Sequence, residues 1–145
     1  MRTADCFKNG LLKRIKPDPD NAKRSLVLSK KNLDDASENL KIKCHRVVMI
    51  LSYTAMFHAA RGILFRDGIK ERSHECVPIY LREKYPDMEK YANILDSYRR
   101  FRHEAIYGLD FDIDEKEAES AIEAAKDFLR EIKALLGDTN SRGGA

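Results

Sequence analysis

Arginine beside histidine, with a tyrosine one helical turn on, is a combination suited to phosphodiester chemistry. A planar guanidinium forks onto two phosphate oxygens, and an imidazole exchanges protons near neutrality. The run "SYRRFRHEAIYG", Ser97 to Gly108, holds three arginines and a histidine within five residues. It also reads as a charged, solvated helix end, and helical phase helps to separate the two. Tyr91, Leu95, Tyr98, Arg102 and Ala105 step by 4, 3, 4 and 3. Arg102 therefore stands in the inward seam, where an apolar residue is expected. Arg99, His103 and Tyr107 form the neighbouring stripe, and Arg100 points to solvent.

A second polar set lies in "VVMILSYTAMFHAARGILF", Val47 to Phe65. Thr54, His58 and Arg61 share one stripe of an otherwise apolar helix. Burying histidine and arginine without partners is costly, so they are either paired internally or line a site. The segment is long enough to span a bilayer, but an unpaired Arg inside it would cost about 2.5 kcal/mol or more there. A central helix of a bundle is the better reading, with no membrane contact. His74, in "RSHECV", falls near the start of another helix, where a histidine is more often structural than catalytic.

These residues need helices to hold them, and nearly the whole chain has helical periodicity. A first helix is expected over about Ala4 to Ile15, broken by Pro17 and Pro19. Asp18 is a candidate N-cap for a second helix reaching about Glu38. The long third helix covers about Ile42 to Phe65 and ends toward Gly68. Ser73 is the expected cap of the fourth helix, and Pro86 and Asp87 open a fifth that ends at Gly108. Asp112 or Asp114 caps the last helix, to about Leu136. There Ala118, Ala121, Ile122, Ala125, Phe128, Leu129, Ile132 and Leu135 keep a period near 3.6. No segment sustains a strand's alternation. The expected fold is all-α, an antiparallel up-and-down bundle of four to five main helices over residues 1–136. Residues 137–145, "GDTNSRGGA", have no large apolar side chains to pack and read as a flexible tail.

The chain has 145 residues, room for one domain with its own core. Its 27 basic and 24 acidic side chains leave a net charge of only +3, so nucleic-acid contact would need a local patch. "KNGLLKRIK" and "SKKN" read as solvated faces. Cys6, Cys44 and Cys76 have no C-x-x-C spacing, which argues against a zinc site and a disulfide framework and for a reducing, cytoplasmic setting. The start of the chain lacks a signal peptide's apolar core. No metal constellation or glycine-rich phosphate loop is present, so no cofactor is expected and a nucleotide would be held by side chains.

Three stretches together resemble the HEPN family (higher eukaryotes and prokaryotes nucleotide-binding): "SYTAMFHAARGIL", "RSHECV" and "FRHEAIYG". The similarity is to the small stand-alone branch of archaea and bacteria, associated with MNT-type nucleotidyltransferases. It implies a helical bundle, often dimeric. Active members resemble metal-independent endoribonucleases whose motif is Arg, a polar residue, about three variable residues and His. Arg102 matches the arginine and His103 the polar position, but Tyr107 stands where the histidine belongs. Tyrosine, with a pKa of about 10, is a poor base at neutral pH. The branch commonly ends this motif in Tyr-Gly, usually after an acidic residue, where this chain has Ile106.

The reading that follows is a nucleotide- or RNA-binding interaction module. It would be homodimeric and paired with an MNT-type nucleotidyltransferase in a toxin–antitoxin-like system. Arg102 would bind phosphate, with Tyr53, His58, Arg61, His74 and Tyr107 shaping the pocket and Tyr107 open to modification by the partner. The alternatives are an endoribonuclease toxin using Arg102 with His103 or another histidine, and a bundle that serves only oligomerisation.

Overall fold

The computed structural model describes residues 1–143, with side chains to 137. The order is α1 (Thr3–Lys8), β1 (Leu12–Arg14), α2 (Pro19–Lys41), α3 (His45–Asp67), β2 (Ile69–Glu71), α4 (Cys76–Lys84), a 3-10 turn (Pro86–Met88), α5 (Glu89–Tyr107) and α6 (Glu115–Gly143). It is an all-α bundle carrying one small antiparallel two-stranded sheet of β1 and β2.

The centre is α3, which packs against α2, α5 and α6. Its helix is long and apolar enough to cross a membrane, but 67% of its most apolar window is buried inside the bundle. The α2–α3 pair is the most extensive. Two devices bring these helices close. Ser29, fully buried, donates its hydroxyl to the Ala55 carbonyl at 2.6 Å. Gly62 faces Leu26, where an added Cβ would come within 3.2 Å of that side chain. On α6, Ala118, Ala121, Ile122, Ala125, Phe128, Leu129 and Ile132 are buried, as their period requires. Truncating the fully buried Phe128 to alanine should cost about 3–5 kcal/mol.

The helix ends follow local chemistry. Asp18 caps α2 by accepting the Asn21 N–H at 3.0 Å, with Pro19 as the first helical residue. Asp114 and Glu117 form a reciprocal capping box on α6, at 2.8 and 3.3 Å. Gly68 ends α3 at φ 76°, and a Cβ there would lie 2.7 Å from the Ile15 carbonyl oxygen. That close approach lets the chain turn directly from α3 into β2.

Several expectations need correction. The first helix stops at Lys8 rather than Ile15, because Gly10 turns the chain at φ 72° and Leu12–Arg14 pairs with Ile69–Glu71. Strands of three residues are too short to register as alternation. Ser73 does not cap α4, which begins at Cys76 with no side-chain cap, and Pro78 fits within its first turn. Cys6 and Cys76 form a disulfide joining α1 to α4, so two of the three cysteines are paired; Cys44 is free. Seventy residues apart, they show no spacing signal. The backbone of 137–143 continues α6, and the last two residues of the expected tail lie outside the described residues.

Candidate functional site

Three elements meet on one side of the bundle: the middle of α3, the turn before α4, and the second half of α5. Tyr53 on α3 is buried, and its hydroxyl shares a 2.7 Å hydrogen bond with His74 Nδ1. Phe57, one turn further along α3, stacks on the His74 ring with centroids 4.0 Å apart and planes 10° apart. The imidazole is therefore fixed by an aromatic face and a phenol, although the residue is exposed. The site opens on solvent.

From α5, the Arg102 guanidinium lies 5.7 Å from the Tyr53 ring centroid. Burial first, then the charges of Arg102, Arg99 and Arg61, hold the His74 pKa below its ordinary value. Burial likewise raises the Tyr53 phenol, with Arg102 and Arg99 opposing. At neutral pH the site thus presents a neutral imidazole and a neutral phenol under a positive field.

The cations differ in their partners. Arg99 Nε lies 2.9 Å from Asp96, which also holds Arg100 at 3.0 Å. Arg61 Nε is 2.9 Å from Glu71 on β2, and its Nη1 donates to His58 Nδ1 at 3.3 Å. Burial, then Arg61, then His74 lower the His58 pKa to about 4. Arg102 is half-buried, and among the described residues it makes no ion pair. Its hydrogen-bond donors remain available, which is costly for a guanidinium drawn partly out of water.

Tyr53, Phe57, His58, Arg61, His74 and Arg102 are thus brought together, linked by hydrogen bonds, ring contacts and electrostatics. His103 and Tyr107 stand apart. Both are exposed on α5 and pack on each other, centroids 4.9 Å apart. Among the described residues no hydrogen bond, ion pair or ring contact joins either to Tyr53, His58 or His74. The Thr54 hydroxyl bonds back to the Ile50 carbonyl at 2.8 Å, a local satisfaction.

Arg99, Asp96 and Glu71 were not assigned to the site from sequence. Asp96 could have been found, since it sits three and four residues before Arg99 and Arg100. Glu71 could not, because its meeting with Arg61 depends on how the chain turns back from α3 into β2. Among the described residues, no three His, Cys, Asp or Glu side chains gather as metal ligands would.

The structure is thus a helical bundle with an arginine that makes no ion pair on the same face as a ring-stacked histidine. The HEPN domain model matches residues 22–135, and the chain belongs to that family. The match leaves α1 and β1 outside it. The comparison with curated proteins gives no match.

Proposed function

We propose that the protein is a HEPN module that binds nucleotide or RNA phosphate at the face of Arg102, Arg99 and His74. The observation that carries this is Arg102: a half-buried guanidinium with no carboxylate, next to a histidine kept neutral by burial and by the charges of Arg102 and Arg99. An anion would supply the missing partner. Tyr53 and Phe57 hold His74 so that its ring edge serves the same ligand. Calorimetric titration with ATP and with short RNA tests the reading. Binding should weaken at least tenfold in Arg102→Ala, and no heat with either ligand would exclude it.

The module is proposed to act as a homodimer paired with an MNT-type nucleotidyltransferase. Phe101, Tyr107 and Leu109 support an interface, with 43%, 68% and 100% of their surface exposed at the end of α5. Tyr107 is also open to modification: its phenol oxygen can attack the α-phosphorus of ATP held by the partner, with loss of pyrophosphate. Intact mass before and after incubation with the partner and ATP reads this directly.

A second reading has its own support. A neutral His74 beside two arginines can take a proton from a ribose 2′-hydroxyl while Arg102 stabilises the phosphorane. This metal-independent ribonuclease would use His74 rather than His103. RNA cleavage in EDTA, lost in Arg102→Ala and His74→Ala, is its signature; an intact RNA pool after hours with clean protein removes it.

A further inference from the structure

The two-stranded sheet of β1 and β2 gathers cations at close quarters. Elsewhere some cations sit beside carboxylates: Lys30 with Asp34, Lys41 with Glu38, Lys126 with Glu123 and Arg130 with Asp127. On and beside the sheet, Lys13, Arg14, Lys70, Arg72 and Lys84 make no ion pair among the described residues. Lys13 and Lys70 are direct cross-strand partners. Like charges placed directly opposite each other on paired strands are destabilising.

Two clefts adjoin at Arg14. One, of about 640 Å³, is lined by Lys13, Arg14 and Arg72 with Phe7. The other, of about 420 Å³, is lined by Arg14, Lys84, Phe7 and Thr3 with Asp67 and Glu83. Both carboxylates are already engaged. Asp67 accepts from two tyrosines and Arg66, and Glu83 accepts the Thr3 N–H at 3.0 Å and faces Arg2. The Thr3 hydroxyl is buried without a partner. Arg14 and Lys84 therefore bring to this cleft cationic donors that neither carboxylate pairs. Arg14 lies over the Phe7 ring, 4.5 Å from its centroid, so its guanidinium plane is supported and its edges stay open.

We propose that this sheet is a second binding surface, for the sugar–phosphate backbone of single-stranded nucleic acid. The surface ends at Arg72, two residues before His74, so a strand lying on it continues toward the Arg102 face. In that respect it rests on the phosphate reading of that face, although the sheet's own affinity does not. Clefts of nucleotide size, an aromatic ring and a flat arginine suit unpaired bases and spaced phosphates better than a lipid surface.

The test compares a twelve-nucleotide RNA with ATP on wild type, on the Lys13→Ser/Lys70→Ser double variant, and on Arg102→Ala. The double variant should bind the RNA at least fivefold more weakly, with a salt slope shallower by about 1.4 for two lost phosphate contacts. Its ATP affinity should not change, and its melting temperature should hold or rise as the repulsion is relieved. RNA affinity and salt slope equal to wild type would overturn the proposal. Poly-glutamate bound as tightly as RNA, with the same dependence on the two lysines, would overturn it in favour of an acidic protein. RNA binding that depends on Lys13 and Lys70, with no ATP binding, would uphold this surface and remove the reading of the Arg102 face.

Discussion

The protein holds two clusters of arginine and tyrosine, and they are built in opposite ways. At the end of α3, Asp67 accepts the hydroxyls of Tyr80 (2.7 Å) and Tyr85 and the Nε of Arg66 at 3.2 Å, while Arg66 Nη2 donates to Tyr85 at 2.6 Å. Only Arg66 Nη1 is left buried without a partner. On the α3–α5 face, Arg102 has a tyrosine ring and neighbouring histidines but no carboxylate. The first cluster closes on itself and fixes α3 against α4. The second leaves its charge for something outside the chain. Residue type alone does not mark a site; the difference is whether the acceptor is already present.

Removing the acceptor of the closed cluster should have the largest effect. Asp67→Ala leaves Arg66 uncompensated and two phenols unpaired, and is expected to cost about 3 kcal/mol in urea unfolding. Arg102→Ala should change stability by less than about 1 kcal/mol, since no partner is orphaned. Equal losses in the two variants would break the contrast, showing Arg102 to be structural.

The clusters should also fail at opposite ends of the pH scale. His58 is held at about 4 by burial and by Arg61, below the ordinary value of 6.5. Between those values the unfolded chain binds a proton that the folded chain refuses, so stability is full above 6.5 and falls as pH drops toward 4. After allowance for partial exposure the loss is about 2 kcal/mol. Tyr85 is raised to about 12, by burial and by its bond to Asp67. Here the unfolded chain releases its proton first, so stability is lost as pH rises from 10 toward 12, by about 1–2 kcal/mol after the same allowance. Urea midpoints measured across both limbs check this. His58→Gln should flatten only the acid limb and Tyr85→Phe only the alkaline one.

The helices were legible because their signals are local. Asp18, Gly68 and the α6 stripe each act within a few residues, and the bundle follows from them. Arg102 was legible too, because a charge in an apolar seam shows in the helical phase. The Asp67 cluster, the Arg61–Glu71 pair and the Cys6–Cys76 bond were not, since each joins different elements whose meeting depends on the tertiary fold. The sheet of β1 and β2 is two strands of three residues, below the length at which alternation carries information. His74 was visible as a residue but not in its setting, because the Phe57 and Tyr53 contacts come from another helix.

His103 gives the smallest expected effect and the sharpest test of where the open cluster ends. It is adjacent to Arg102 in sequence, hence about 100° away around α5, and it faces solvent against Tyr107. His103→Ala should leave stability within about 0.5 kcal/mol of wild type, as exposed substitutions do. ATP and RNA affinity should stay within about twofold, since one exposed ring outside the contact set contributes little. His74→Ala removes a ring stacked on Phe57 and bonded to Tyr53, and should weaken ligand binding more than His103→Ala does. The reverse order would move the site along α5 toward Tyr107 and the exposed apolar end. The phosphate would then lie between Arg102 and a partner subunit rather than against α3.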